Sequence, residues 1–246
     1  MTENQITRWL LKPAVFLTAV TPAVILIYLT WAAYNGHQSA WPALTGNLSA
    51  NPLEDITHRT GDWAIRFLCI TLAITPLRRL TGRNSAIRFR RMLGLFAFFY
   101  GTLHFLTWAI LDRYMSLDFP GGTMWWSALR TFAASVGDDI YKRKFITIGF
   151  VALVTMLPLA LTSTAGMIRR LGARRWQKLH RLIYVSAVAA PIHYLWLVKS
   201  DIRYPLAYGL IVAILLGFRV YWARMHAKPA RARTPVTERG IGNLIR

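Results

Sequence analysis

The sequence has a single cysteine, Cys69, and this scarcity excludes several kinds of site. One cysteine cannot form an internal disulfide, and it cannot supply the several thiolates of a structural zinc centre. The C-x-x-C-H motif that attaches a c-type haem covalently is also absent. Cys69 lies inside an apolar run, so we interpret it as a packing residue.

Acidic residues are scarce as well, with 10 Asp and Glu against 30 Lys and Arg, which gives a formal charge of +20. A soluble nucleic-acid-binding protein would spread such a charge over its surface. Here the basic residues occur in short blocks between long apolar runs, and 54% of the chain is hydrophobic. This pattern is typical of an integral membrane protein, and it argues against nucleic acid as a partner.

Six apolar stretches are long enough to cross a bilayer core of about 30 Å as helices. They predict an all-α integral membrane protein, a bundle of six transmembrane helices over about 13–33, 62–80, 92–111, 145–164, 179–198 and 204–222. Because these spans nearly fill the chain, residues 1–246 are predicted to form a single transmembrane domain with a basic tail over 223–246. No room remains for a separate flavin–nicotinamide domain, and no G-x-G-x-x-G motif follows a strand.

The distribution of Lys and Arg predicts the orientation of the bundle. One set of loops, taken together with both termini, contains 21 of the 30 basic residues, and the opposite loops contain eight. Since loops rich in Lys and Arg remain in the cytoplasm, both termini are predicted to be cytoplasmic.

The longest outer connection, from Asp112 to Lys144, contains the stretch WWSALRTFAASV. Its mixture of aromatic, apolar and polar residues predicts an amphipathic helix that lies on the membrane surface. Such a helix would either anchor the bundle or dock a partner outside the membrane.

Three of the six histidines fall within predicted spans: His104 in the third, and His180 and His193 in the fifth. Odd-numbered spans run in the same direction, so depths along them can be compared. Arg91 begins the third span and His180 begins the fifth, and in each span a histidine follows thirteen residues later, about 20 Å along the helix. His104 and His193 are therefore predicted at similar levels in the outer part of the membrane.

Two histidines at one level on parallel helices can bind one haem iron from both sides. Neutral imidazole binds iron through Nε2 while Nδ1–H donates to another group. Two such ligands fill both axial positions, which favours an electron carrier over an oxygen-binding protein. The alternative is that each histidine only hydrogen-bonds a serine, a threonine or a carbonyl within the bundle.

His180 and His193 do not share one face of a straight helix. Thirteen residues at about 100° each place the two side chains about 140° apart around the axis. Pro191 supplies a cause for a distortion, because it removes a backbone hydrogen bond. The spacing alone therefore does not establish a second haem at His180.

Six stretches carry a family resemblance: DITHRTG, ITPLRRL, RFRRMLGL, TLHFLTWAIL, LALTSTAGMIRRLGARRWQKLHRLIY and APIHYLW, between about Asn51 and Lys199. They resemble the MsrQ family of haem-binding membrane subunits of periplasmic methionine-sulfoxide reductase systems, within the ferric-reductase-like transmembrane group. The resemblance implies a multi-pass protein of the bacterial inner membrane that binds haem b. Electrons would come from the quinone pool or a flavin reductase and go to a periplasmic molybdenum-containing (molybdopterin) subunit, on which sulfoxide reduction itself would take place.

The resemblance also implies haem ligation by His104, His180 and His193. One haem is expected and a second is left open. Some members of the family hold FMN as well. Arg91 lies where the wider group carries an inner histidine. It could pair with a haem propionate or a flavin phosphate, or it could simply anchor the span on the cytoplasmic side. Lys144 stands where this family is expected to carry proline.

Two further residues have several interpretations. His58 could cap a helix, bond a carboxylate or approach a cofactor, and Arg66 could pair with Asp62, one turn earlier, or with a cofactor acid. Two rival functions are a self-contained transmembrane ferric or quinone reductase, and a transporter or assembly factor whose histidines only pack. A b-type visible spectrum of the purified protein would exclude the second rival.

Overall fold

The computed structural model describes residues 3–37, 39–40, 45–82, 84–119 and 124–226, and this part of the chain is helical with no strand. Its main helices are α1 (Lys12–Tyr34), α2 (Pro52–Thr81), α3 (Ile87–Thr107), α4 (Trp125–Lys142), α5 (Lys144–Leu161), α6 (Ala165–Leu179), α7 (Ile183–Leu197) and α8 (Arg203–Met225). Three short segments adjoin them: the lead into α1 over Glu3–Ile6 and Thr7–Leu11, the π-helical extension of α3 over Trp108–Tyr114, and the 3-10 turn His180–Leu182. The all-α prediction is confirmed for the described residues.

Within the described residues, four segments are long and apolar enough to cross a membrane: Trp9–Tyr34, Ile87–Tyr114, Lys144–Leu161 and Arg203–Met225. The predicted spans 62–80 and 179–198 are also helical, but neither is a simple apolar helix. The first is part of the 30-residue α2, which carries several charges, and the second contains the 15-residue α7. The number of membrane crossings therefore stays a prediction, and most of the predicted tail, 227–246, lies outside the described residues.

The ends of α2 show why the helix begins and stops where it does. The Asn51 side chain accepts a hydrogen bond from the Glu54 backbone N–H, and Pro52 occupies the first helical turn, where no partner is needed for its nitrogen. At the other end Gly82 adopts the left-handed conformation, φ +69°, and its N–H bonds the Arg78 carbonyl. These two caps give α2 a fixed length and register.

The centre of the bundle consists of α2, α3, α5 and α7, with α2 packed along α3 and α5 packed along α7. Helix α1 lies outside this group against α2 and α3, and α8 lies against α2 and α7. The buried rings of Phe67 and Tyr100 stack at 5.4 Å between α2 and α3. The inner four helices therefore define the site described below, and the outer two pack against this group.

Tyr100 connects α1 to the centre through its hydroxyl group. Pro22 interrupts the hydrogen bonding of α1, and the Tyr100 hydroxyl lies at this point: it donates to the Ala19 carbonyl at 2.8 Å and accepts from the Ala23 N–H at 3.1 Å. The hydroxyl thus bridges a donor and an acceptor one helical turn apart.

The basic stretch RRLGARRWQKLHR, which the sequence places in a loop, is mostly helix. It forms α6, capped by the Thr164 side chain and interrupted at Gly172, whose φ is +74°. The chain then passes through the 3-10 turn at His180 before α7 begins. The distortion between His180 and His193 therefore includes this turn, ahead of the predicted distortion at Pro191.

Candidate functional site

Helices α2, α3, α5 and α7 enclose a cavity of about 570 Å³ at the end of the bundle where α2 and α5 begin. We call it the histidine cavity, because His104 of α3 and His193 of α7 both line it. Its apolar wall includes four large aromatic side chains: Phe105, Trp108, Phe145 and Phe150. A cavity of this size, mostly apolar with a few polar groups, is typical of small-molecule and cofactor sites.

The rings of His104 and His193 lie 6.0 Å apart, centroid to centroid, at 73° to each other. His104 Nδ1 is 2.8 Å from the Thr57 carbonyl oxygen, and His193 Nδ1 is 2.6 Å from the Phe145 carbonyl oxygen. Because a carbonyl oxygen only accepts, Nδ1 must donate in both bonds, and Nε2 keeps its lone pair. The two histidines thus have the tautomer of a metal ligand.

A glycine lies against each ring, one helical turn after the carbonyl that the ring contacts. A β-carbon on Gly61 would lie 3.0 Å from His104 Nδ1, and one on Gly149 would lie 2.6 Å from His193 Nδ1. These distances are shorter than a comfortable contact, so the rings reach the two carbonyls because neither glycine has a side chain. The same arrangement of carbonyl and glycine therefore orients both rings.

Among the described residues that line the histidine cavity, Arg143 is the one Lys or Arg. Its Nε lies 3.4 Å from Asp139 Oδ1, and Asp139 Oδ2 lies 3.0 Å from Arg113 Nε. Asp139 is buried, whereas the Arg143 side chain is 49% exposed. One carboxylate thus faces two guanidinium groups, and the carboxyl groups of Glu54, Asp62 and Asp112 also line the cavity.

This group of charges also attaches α4 to the bundle. The predicted amphipathic stretch is helical, and Asp139 near its end forms an ion pair with Arg113 in the extension of α3. Arg113 Nη2 also donates to Ser135 Oγ at 2.7 Å, while Trp125 and Trp126 at the start of α4 remain exposed. Helix α4 is therefore held at its end by ion pairs and exposes aromatic residues at its beginning, as a membrane anchor would.

The third predicted ligand, His180, lies away from the histidine cavity. Its ring stacks on Trp176 at 3.8 Å, its Nδ1 is 3.0 Å from the Trp176 carbonyl oxygen, and it also contacts the Leu159 carbonyl. The structure therefore brings His104 and His193 together and leaves His180 apart. A ligand role for His180 stays a prediction.

The arginine near His180 is Arg90, and Arg91 points elsewhere. Arg90 is half-buried and close enough to His180 for the two to interact electrostatically, whereas Arg91 is exposed. Neighbouring positions on a helix are about 100° apart, so one of the two arginines faces the bundle and the other faces outward. The predicted cofactor role of Arg91 is not tested by this placement, but Arg90 is better located for it.

Three other sequence expectations can be located. His58 is exposed and lines the cavity, at its edge. Arg66 Nη2 is 3.6 Å from Asp62 Oδ2, and its Nε donates to the Tyr208 hydroxyl at 3.2 Å. Lys144 is the first residue of α5, a position where proline is common but not required.

Sequence reasoning missed the residues that orient the two histidines. A backbone carbonyl has no signal of its own in a sequence, so neither Thr57 nor Phe145 could be identified. Gly61 and Gly149 do leave a signal, because an isolated glycine within a helix costs stability and is retained for a packing or functional reason.

The chain is similar to known membrane proteins over most of its length. Residues 60–191 match the family model described as the ferric reductase like transmembrane component. A relative from Ralstonia nicotianae, named protein-methionine-sulfoxide reductase heme-binding subunit MsrQ, is 48% identical over 85% of this chain and 84% of its own. Two relatives of the same name, from Xanthomonas euvesicatoria and Xanthomonas campestris, are 46% and 44% identical over 90% and 95% of both chains. The chain therefore belongs to the MsrQ family, within the ferric-reductase-like group of transmembrane proteins.

Proposed function

We propose that this protein is the haem-carrying membrane subunit of a protein-methionine-sulfoxide reductase system, with one haem b bound between His104 and His193. The observation that carries the proposal is the pair of imidazoles in one cavity, each with Nδ1 bonded to a carbonyl and Nε2 free. The names of the relatives, which are heme-binding subunits, support the same cofactor.

The spacing of the two rings fits the proposed ligation. Two imidazoles bound to opposite sides of one metal ion, with metal–nitrogen bonds of about 2 Å, have ring centroids about 6 Å apart. The rings of His104 and His193 are separated by 6.0 Å. The cavity volume of about 570 Å³ is also in the range of cofactor sites. The residues present therefore fit a haem with two histidine ligands.

Each residue of the site has a physical role in this proposal. The carbonyls of Thr57 and Phe145 hold the imidazole rings in place and, by accepting the Nδ1 hydrogens, make Nε2 a stronger donor to iron. The aromatic wall gives the site its mostly apolar lining. Arg143 faces the cavity with a guanidinium group that suits a propionate carboxylate.

Haem b held by His104 and His193 would supply a one-electron redox centre. We propose that the bundle has six membrane-spanning helices and cytoplasmic termini, with the histidine cavity toward the periplasm, as the distribution of Lys and Arg favours. Electrons would enter from the quinone pool or a flavin reductase and leave toward a periplasmic molybdenum-containing reductase subunit. A second haem at His180 and an FMN site stay predictions.

The test begins with the full-length protein purified in detergent. A reduced-minus-oxidised spectrum should show a b-type haem, and acid–acetone should extract it, because no C-x-x-C-H motif is present. His104→Ala and His193→Ala should each remove the low-spin, six-coordinate signal. His226→Ala is the matched control, since that ring lies outside the histidine cavity, bonds the Trp222 carbonyl of its own helix and stacks on the Trp222 ring. A low-spin signal that survives in both cavity variants would contradict the proposal.

A further inference from the structure

Four arginines lie half-buried at the end of the bundle opposite the histidine cavity. They are Arg78 and Arg79 of α2, Arg90 of α3 and Arg219 of α8, and we call them the arginine cluster. Other arginines at the same end, such as Arg88, Arg91 and Arg224, are exposed. The helices therefore turn these four guanidinium groups inward, where solvation by water is reduced.

Arg219 and Arg79 are held in place but incompletely bonded. Arg219 Nη1 donates to the Tyr184 hydroxyl at 3.1 Å and Nη2 donates to the Leu72 carbonyl at 2.7 Å, yet its buried Nε has no partner among the described residues. The Arg79 guanidinium lies 5.3 Å from the centre of the Trp222 ring, and its buried Nη1 likewise has no partner there. A buried donor without an acceptor is costly, so each of these arginines has a guanidinium N–H group that needs a hydrogen-bond acceptor.

Arg90 adds charge to this group, and a favourable electrostatic interaction with Tyr184 compensates it in part. It is close enough to Arg78 and Arg219 to interact with both electrostatically, and it makes no hydrogen bond in the described part of the chain. Within that same part, none of the four arginines pairs with Asp or Glu. Like charges that are partly buried together are unfavourable unless an anion joins them.

We propose that the arginine cluster is a binding site for a phosphate group, either of a phospholipid headgroup or of a soluble phosphate ester. Guanidinium groups donate paired N–H bonds to phosphate oxygens, and basic pockets between membrane helices bind lipid headgroups. The depth is suitable, because Arg78, Arg90 and Arg219 lie three to six residues, about 5–9 Å, inside the ends of their helices. Tyr184 and Trp222 beside the cluster are aromatic residues of the kind found at that level.

The proposal makes an unusual prediction about Arg90. Without the anion, Arg90 is half-buried and repelled by Arg78 and Arg219, against a weaker attraction to Tyr184, so Arg90→Gln should leave the fold intact and should raise the melting temperature of the ligand-free protein. With the anion present, the same substitution removes a ligand contact. The anion should therefore raise the melting temperature of the variant less than that of the wild type. A purely structural role for Arg90 would not give these opposite signs.

The experiment measures melting temperatures of the full-length protein. One arm uses delipidated protein in non-ionic detergent with inorganic phosphate, at an ionic strength matched with potassium chloride. The other arm compares nanodiscs of phosphatidylcholine alone with nanodiscs that also contain phosphatidylglycerol. A gain of about 3–6 °C is expected for the wild type when phosphate or anionic lipid is in tenfold excess over Kd. A gain in the nanodisc arm alone identifies a lipid, and a gain in the detergent arm identifies a soluble phosphate.

Four variants complete the design. Arg90→Gln should lose at least half of the gain, whereas Arg91→Gln, the exposed neighbour on the same helix, should keep it. Glu238→Gln should also keep it, which tests whether the carboxylate of the C-terminal tail is the counter-charge. Arg90→Lys preserves the charge but not the paired N–H groups, so it should show an intermediate gain. No wild-type gain in either arm, or equal losses in Arg90→Gln and Arg91→Gln, would overturn the proposal, and neither result would bear on the haem proposed between His104 and His193.

Discussion

Gly149 of α5 lies directly against the imidazole of His193, and a β-carbon at this position would be 2.6 Å from His193 Nδ1. The ring reaches the Phe145 carbonyl, one turn earlier on the same helix, across the space that a side chain would fill. His104 repeats this relationship with Gly61 and Thr57 on α2. The two proposed ligands are therefore oriented by backbone groups of neighbouring helices.

Gly149→Ala should displace the His193 ring and weaken or remove the low-spin haem signal. The neighbour that must move is the His193 imidazole, which is held by the Phe145 carbonyl on one side and by the proposed iron on the other. A small rotation of this ring therefore cannot accommodate the added methyl group. Electron paramagnetic resonance at low temperature, together with the haem content per protein, measures the effect. Gly61→Ala should have a weaker effect in the same direction, because its β-carbon would be 3.0 Å from His104 Nδ1.

Gly217→Ala of α8 is the matched control for these substitutions. It is also a glycine within a helix, but no atom lies within 4 Å of the added β-carbon. This change should leave the haem signal unaltered and stabilise the helix by up to about 1 kcal/mol. If Gly149→Ala retained a full low-spin signal, the ring would not depend on the space at Gly149.

Tyr100→Phe should destabilise the protein by about 1–3 kcal/mol, because it removes the hydroxyl that bridges Ala19 and Ala23 next to Pro22. Thermal unfolding in detergent measures the change. Tyr100 does not line the histidine cavity, so the haem spectrum should be unaffected. Tyr141→Phe is the control, since Tyr141 is 81% exposed. Equal stability of the two variants would show that the Ala19 carbonyl and the Ala23 N–H do not depend on the Tyr100 hydroxyl for their hydrogen bonds.

Arg143→Gln should lower the midpoint potential of the haem. Reduction of ferric haem adds negative charge, and a nearby guanidinium favours the reduced form, so its loss shifts the potential downward by an amount on the order of 50 mV. A spectroscopic redox titration measures the shift. Lys142→Gln is the control, because Lys142 is exposed and pairs with Asp138 at 2.8 Å. A fall of the same size in both variants would indicate a general surface-charge effect and no specific role for Arg143.

The level of the two cavity histidines could be predicted from the sequence, but the direction of the side chains was harder. Rise per residue is nearly constant, so equal spacing on parallel helices places His104 and His193 at one depth. The direction of a side chain around the helix axis is harder to predict, because an error of one position turns it by about 100°. The structure accordingly turns Arg90 inward beside His180, whereas the sequence resemblance places Arg91 there, as either a cofactor contact or a cytoplasmic anchor.

Helix α6 shows a second limit of the sequence. Its basic residues carry no apolar periodicity of the length of a membrane span, so hydropathy places them in a loop. The helix forms because Thr164 caps its first turn and because Arg, Lys, Leu and Gln are good helix formers. Gly172, with φ +74°, then breaks it before the chain reaches His180. Local helix propensity accounts for this helix, whereas hydropathy predicts the membrane spans.

His180→Ala should spare the low-spin signal of the histidine cavity. The His180 ring lies outside that cavity and stacks on Trp176, so its loss leaves both proposed axial ligands in place. The pyridine haemochrome content per protein is measured on the same samples, and a fall from two haems to one would assign a second haem to His180. A loss of the low-spin signal in His180→Ala, with the signal intact in His104→Ala, would contradict the pairing proposed here.

The predicted orientation can be tested with reporters fused to the two sides of the bundle. Alkaline phosphatase is active only in the periplasm, so a fusion after Asp118, in the loop before α4, should be active. A fusion after Arg246 should be inactive, while a fluorescent protein at the same position should fluoresce, because 21 of the 30 basic residues accompany the termini. The expression level of each fusion serves as its control. Phosphatase activity after Arg246 equal to that after Asp118 would contradict the predicted orientation. The histidine cavity would then lie on the side of the electron donor.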